Sequence, residues 1–410
     1  MRILRHVTAW TLGVLGFLIL ALPVALLPLS TAIPAWFWVP LAVADLAGAV
    51  WLVRARRPAA RAAGVAAVVG VAVVAVVASQ VFAATPPIVD EAGRPVPASV
   101  ASLEQVTLNG SQQWITIRGH DADNPVLLNL GMGGPGGGGF ATRSQFEALE
   151  RHFTVVSWDE PGTGKSIAAV PLGELDRDRF VEDARALAEL LLERFDEERL
   201  FVYGVSWSSI LGIWLVQDYP HLFHAFVSSG QMVNTTENDR LGYDYAVRYA
   251  RERGDQRTVD RLLANGPPPY GGTSPVWKYL DYLDVLNDSM GAPRYAWIVP
   301  LVPFLAPEYG LVDKVNHTRG LIDSFNAVYP KLADLDLTEQ AARLEVPVYF
   351  FVGRDDVNAM ASLVERYHQR LSAPHKELIW LEGGHGLGSA DPAPFVDLMV
   401  NDLRPLATKP

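Results

Sequence analysis

The sequence predicts an α/β protein: a mostly parallel, doubly wound sheet with a helical insertion, preceded by three membrane-spanning helices. Three observations predict it. From about Ser102 onward, short β-rich runs alternate with helical stretches, and such alternation means parallel strands joined by crossovers. One long segment, about 231–345, interrupts the alternation. The first 84 residues carry three apolar stretches with a single acid inside them.

The apolar stretches run at about Trp10–Leu29, Ala35–Val53 and Gly64–Ala84. Each is near the roughly 20 residues that cross a bilayer as a helix. Asp45 is the one acid inside them, and Pro23, Pro28 and Pro40 would kink or end helices, which membranes tolerate. A cleaved signal peptide is the alternative for the first stretch. Two further spans follow it, and no small-x-small site closely follows Leu20, so the spanning reading is preferred. Arg2 and Arg5 precede the first span, Arg54, Arg56, Arg57 and Arg61 lie between the second and third, and the Ser30–Pro34 loop has no charge. The positive-inside rule therefore puts the N-terminus and the arginine loop in the cytoplasm and everything after Ala84 outside. The expected partner is the lipid bilayer, through residues 10–84, and the expected location is the cell membrane, multi-pass.

Residues 1–84 carry six arginines and one aspartate, a charge of +5, so the rest of the chain carries −16 against the total of −11. An acidic domain without a basic stripe does not suit nucleic acid. The chain has 410 residues, enough for a large core plus an addition. It has no cysteine, which excludes disulfides, thiolate zinc sites and cysteine nucleophiles.

Thr85–Ser99 holds four prolines and reads as an extended linker. Beyond it, strands are expected at Gln113–Ile117, Val126–Leu130, Phe153–Trp158, Leu200–Tyr203, Ala225–Ser228, Val346–Val352 and Glu377–Leu381. Helices are expected at Thr142–Glu150, Arg179–Phe195, Ile210–Tyr219 and Met360–Leu371. The expected domains are a membrane region at 1–84, a linker at 85–101, a core formed by 102–230 and 346–410, and a lid at 231–345.

Ligands of such sheets sit at the carboxyl ends of the strands, and chemistry-bearing residues collect there. Gly204-Val205-Ser206-Trp207-Ser208 follows one strand and opens a helix. A serine on a tight strand-to-helix turn is lifted clear of the sheet and aimed at a carbonyl. The usual pattern ends in glycine; here Ser208 stands instead. Gly353-Arg354-Asp355-Asp356 ends one later strand and Glu382-Gly383-Gly384-His385-Gly386 ends the next. A serine nucleophile needs a base and the base an orienting acid. His385 is the one histidine of nine in a glycine-rich turn just after a late strand. The G-x-x-D spacing points to Asp356 as the acid, with Asp355 the alternate. The run Gly131 to Gly139 follows a strand, and its backbone N–H groups can approach a developing oxyanion; the N–H of Trp207 is the second donor.

Other readings compete. Gly131 to Gly136 also satisfies G-x-G-x-x-G, with Asp159 at the end of the next strand as a ribose-binding acid would be. Pro135 and the further glycines would spoil a helix starting inside that motif, and Ser206, Asp356 and His385 would be left unexplained. Gly162–Ser166 resembles the end of a P-loop, whose first glycine would fall on Asp159, so it reads as a structural turn. His221 and His224 have helical metal-pair spacing but no third ligand, so no metal site is assigned.

Together these residues resemble the proline iminopeptidase-like branch of the α/β-hydrolase superfamily. The resemblance covers Ser102 to the C-terminus. Gly133-Gly134-Pro135-Gly136 is similar to that branch's H-G-G-P-G loop, Trp158–Ser166 to its D-Q-R-G-x-G-x-S segment, and Gly204–Ser208 to its G-x-S-W-G elbow; Asp356 and His385 match its other triad positions. Met132 stands where the branch has histidine, Glu160-Pro161 replaces Gln-Arg, and Ser208 replaces glycine. The resemblance implies an α/β-hydrolase fold and a serine hydrolase, most readily an aminopeptidase acting on a short peptide or amide with a free N-terminus. Ser206 would be nucleophile, His385 base and Asp356 its orienting acid, with Gly134 and Trp207 amides as oxyanion donors. Acidic lid residues of the branch hold the substrate amine. Glu237 is a candidate by position; it reads equally well as an acid favoured by a helix N-terminus. An esterase of the same fold, or a non-catalytic binding module that kept the fold, are the alternatives. No cofactor is implied.

Overall fold

The computed structural model describes residues 2–131, 133–140, 143–291, 301–387 and 391–407. The chain divides into two compact units. One comprises Met1–Pro86 and Leu301–Val315, the other Pro87–Pro300 and Asn316–Pro410.

The first unit holds three helices, Arg2–Ser30, Ala35–Arg54 and Pro58–Val81. The second and third are long and apolar enough to cross a membrane, with mean hydropathies of 1.7 and 2.5. Among the described residues two such spans stand where three were expected; residues 10–15 of the expected first span, Trp10–Leu29, lie outside the residues whose side chains are described. In the first helix the apolar stretch among the described residues, Gly16–Ser30, falls short of bilayer thickness. Residues Leu301–Val315 join this unit although the sequence placed them in the lid. The physical reason is local: the helix Leu311–Val328 begins here with orphan N–H groups. Ser79 Oγ accepts from Leu311 N at 2.9 Å, and Gln80 Oε1 accepts from Val312 N at 3.1 Å.

The second unit is built on an eight-stranded sheet: β1 (Val100–Leu108), β2 (Ser111–Gly119), β3 (Val126–Asn129), β4 (Thr154–Asp159), β5 (Leu200–Val205), β6 (Phe223–Ser229), β7 (Val348–Gly353) and β8 (Lys376–Leu381). The order across the sheet is β1-β2-β4-β3-β5-β6-β7-β8. β2 pairs antiparallel with β1 and β4; the other pairs, from β4 and β3 through to β8, are parallel. The sequence did not anticipate β1. Its hairpin to β2 turns on Asn109-Gly110, both at positive φ (45° and 81°), the backbone that a two-residue hairpin needs and that Asn-Gly supplies.

Strands buried on both faces read as continuous apolar runs rather than alternating ones, as in Val126–Asn129 and Leu200–Val205, where every residue is buried. Leu128 and Val202 join the apolar cluster of one face, and Leu127, Phe201 and Tyr203 that of the other. Crossover helices Arg177–Phe195 and Trp207–Asp218 cover the first face. Arg177–Phe195 starts where Asp176 caps it, accepting from Arg179 N at 2.9 Å. Between β6 and β7 the helices Thr235–Glu252, Gln256–Asn265 and Val276–Ser289 form a lid with its own apolar cluster, which includes Phe325 and Tyr329.

Candidate active site

Ser206 follows β5 directly and precedes the helix Trp207–Asp218. Its backbone sits at φ 56°, ψ −120°, a conformation costing about 1–3 kcal/mol that persists only where the surroundings enforce it. They do so here by crowding. A methyl group on Gly204 would overlap the carbonyl oxygen of Ser208, so the strand and helix close on each other only with glycine there.

Ser208, the departure from the glycine pattern, is accommodated by hydrogen bonds. Its hydroxyl accepts from Val205 N at 2.8 Å and donates toward Gly131 O at 2.7 Å and Val205 O at 3.0 Å. The side chain thus ties the turn to the glycine-rich loop after β3. No helix begins within Gly133–Gly139, and Asp159 Oδ2 accepts from Lys165 N at 3.0 Å, bracing the Gly162–Ser166 turn. Met132 lies outside the described residues.

Asp356 follows β7 and His385 follows β8. His385 Nδ1 lies 2.9 Å from Asp356 Oδ2. The other carboxylate oxygen, Oδ1, accepts from the amides of Asn358 at 2.9 Å and Ala359 at 2.8 Å, which fixes the carboxylate as an acceptor pointing at the ring. Of the two adjacent aspartates, Asp355 is exposed and Asp356 is buried. Burial of the imidazole depresses its basicity, but the charge of Asp356 and its hydrogen bond together outweigh that, so the His385 pKa is raised. Gly230, at the end of β6, clears room for the ring: a Cβ there would lie 2.6 Å from His385 Cε1.

Ser206, His385 and Gly134 line one cavity of about 390 Å³, walled on the far side by lid residues. Trp207 begins the helix after the serine, where backbone N–H groups are free of helical partners and carry partial positive charge. Its indole Nε1 donates to Glu160 Oε2 at 3.0 Å. Glu160 is 1% exposed; burial, reinforced by the neighbouring Asp159 charge and partly offset by the Trp207 bond, pushes its carboxyl up to about 8.

Glu237 is not brought to this cavity. It stands in the first turn of the helix Thr235–Glu252, its N–H donating to Asn234 Oδ1 at 2.9 Å, and it pairs with Arg366. It lines a separate surface depression with Arg240 and Asp334. The helix-terminus reading therefore describes it, and the amine-binding expectation is corrected. Sequence reasoning missed the contact between Glu160 and Trp207, the tie made by Ser208, and the lid's apolar wall. The apolar positions of Val276–Ser289 were the available signal for the wall.

The sequence profile of the α/β hydrolase fold matches residues 124–265. A probable aminopeptidase, YbaC, of Bacillus subtilis is 26% identical over 324 residues, 76% of this chain and 98% of its own. A putative carbamate hydrolase, RutD, of Cronobacter sakazakii is 27% identical over 288 residues, 70% of this chain and 93% of its own. Among solved structures, the proline iminopeptidase of Mycobacterium smegmatis aligns with a TM-score of 0.52 at 17% identity, covering 75% of this chain and 99% of its own. A proline iminopeptidase-related protein of Thermus thermophilus aligns with the same score at 20% identity, over 75% and 99%. These structures share the fold.

Proposed function

We propose, from the match of residues 124–265 to the α/β hydrolase fold and the likeness to hydrolases over most of the chain, that the protein is an α/β-hydrolase, a serine hydrolase cleaving a small peptide, amide or ester through an acyl-enzyme. The observation that carries the reading is the pair His385 Nδ1–Asp356 Oδ2 at 2.9 Å, whose imidazole lines the same cavity as Ser206. Ser206 Oγ attacks the carbonyl carbon as His385 Nε2 takes its proton. Asp356 holds the ring with Nδ1 protonated and stabilises the imidazolium. The amides of Trp207 and Gly134 receive the oxyanion. The imidazolium returns its proton to the leaving group, and water repeats the sequence to release the acid.

Two substrate readings share this chemistry. Similarity to the probable aminopeptidase of Bacillus subtilis and the branch motifs support an aminopeptidase. The cavity lining, which holds no carboxylate among the described residues, supports a substrate without a free amine. A fluorophosphonate probe on the full chain in detergent tests the shared premise. Covalent labelling at Ser206, absent in Ser206→Ala, supports the enzyme; a folded protein that stays unlabelled leaves a non-catalytic binding module.

The location is a second part of the proposal. The helices Ala35–Arg54 and Pro58–Val81 cross a bilayer, with the arginines at 54–61 cytoplasmic and the hydrolase domain outside. Their hydropathy and the exposed Trp36, Val43, Leu46 and Val77 support it. Protease added to intact cells should remove the domain after Ala84. Protection in intact cells and loss only after lysis would reverse the orientation, and release of the full chain by alkaline carbonate would remove the spans.

A further inference from the structure

The cavity beside Ser206 differs in one respect from what an aminopeptidase requires: charge. Its far wall comes from two helices. Val276, Leu280 and Leu283 project from Val276–Ser289, and Leu321, Ile322 and Phe325 from Leu311–Val328. Its polar lining is uncharged at Asn287, Thr318 and Asn358. No aspartate or glutamate is among the lining residues. The residues outside the description cannot alter this by chemistry of their own: positions 132, 141–142, 292–300 and 388–390 contain no acidic side chain. Two carboxyls of the lid are buried, Asp239 at 1% exposure, which accepts from Tyr329 Oη at 2.6 Å, and Asp284 at 4%; neither is among the residues lining the cavity. Glu237 is taken up by Arg366.

An α-ammonium brought into an apolar cavity loses hydration, and that loss is repaid only by a paired charge. An alkyl chain entering the same cavity gains burial against the six apolar side chains. We infer that the acyl group this site accepts is an uncharged aliphatic or aryl-aliphatic one with no free α-amine, so that the natural substrate is an ester or amide of an apolar carboxylic acid. The inference rests on the serine hydrolase reading above and narrows its substrate.

The test compares two p-nitrophenyl esters that differ by one group, hexanoate and norleucine (2-aminohexanoate), on the full chain in detergent. Each rate is divided by the ester's own hydrolysis rate in buffer, because the ammonium activates the carbonyl. Hexanoate should then exceed norleucine by at least tenfold in kcat/KM. Along acetate, butyrate and hexanoate, kcat/KM should rise about three- to fourfold per methylene. Asn287→Asp places a carboxylate in the wall without changing its size; in a variant that labels with fluorophosphonate like the parent, the norleucine ester should gain at least tenfold relative to hexanoate. Norleucine turned over as fast as hexanoate or faster by the parent protein overturns the inference, as does a flat chain-length series. With Ser206 labelled, either result leaves the serine hydrolase reading standing. A folded chain that neither labels nor cleaves any of these esters removes that reading instead.

Discussion

The hydroxyl of Ser208 lies 2.7 Å from the carbonyl oxygen of Gly131, so the turn carrying the proposed nucleophile is fastened to the loop carrying a proposed oxyanion donor. The residue that departs from the family pattern supplies that fastening. Replacing Ser208 with alanine strands the Gly131 carbonyl and the Val205 N–H that it satisfies. The expected cost is about 1–3 kcal/mol of stability, read by thermal denaturation. The donors then lose registration with the serine, and kcat should fall by about 10- to 100-fold with KM little changed. Ser208→Gly restores the family residue and should show the same losses. An unchanged kcat in both would reduce the contact to a packing detail.

The proposed mechanism requires the neutral imidazole of His385. Its pKa is raised above the ordinary 6.5, chiefly against the effect of burial and through Asp356. The acid limb of kcat/KM should therefore have its midpoint above pH 6.5. In Asp356→Asn the raising charge is gone and burial remains, so the midpoint moves to lower pH while kcat drops by about 10⁴-fold because the tautomer is no longer enforced. Stability follows the same linkage: the ion pair contributes fully below the unfolded value of about 6.5 and loses its contribution as pH rises through the higher folded-state value. A pH–rate profile whose midpoint is the same in parent and variant would contradict the assignment.

Glu160 is shifted in the same direction. Its folded-state pKa of about 8 lies above the unfolded 4.5, so between these values the folded chain holds a proton that the unfolded chain has released. Stability from this group therefore declines as pH climbs from about 4.5 to about 8. Glu160→Gln keeps an acceptor for the Trp207 indole and removes the titration. Its advantage over the parent protein should grow across that window, by on the order of 4 kcal/mol at most. Chemical denaturation at pH 5 and pH 8.5 measures it; a pH-independent difference would mean that the carboxyl titrates normally.

The core strands were legible because a sheet covered on both faces writes short apolar runs, as at Leu200–Val205. The candidate site was legible for a related reason: Ser206, Asp356 and His385 each end such a run. Strand β1 was overlooked although Asn109-Gly110 marks its hairpin; its half-buried residues lack the apolar run of a central strand. Glu237 misled because proximity to a strand end along the chain does not fix side-chain direction, and its partner Arg366 lies 129 residues on. The composition of the cavity wall was hidden for the same reason. Leucines of a helix face the site or the lid's own cluster according to packing that no local pattern states, and the 301–315 segment leaves the lid through hydrogen bonds to Ser79 and Gln80.

The lid enters the chain between β6 and β7. The strand that presents the serine lies before that point, and the strands that present the acid and the base lie after it. The described apolar residues that wall the cavity from the insertion are therefore one contiguous cassette, spliced between two halves of the proposed machinery that are already joined beneath it by the parallel pairing of β6 with β7. Exchange of that cassette would retune what the molecule admits while the bond-breaking groups keep their register.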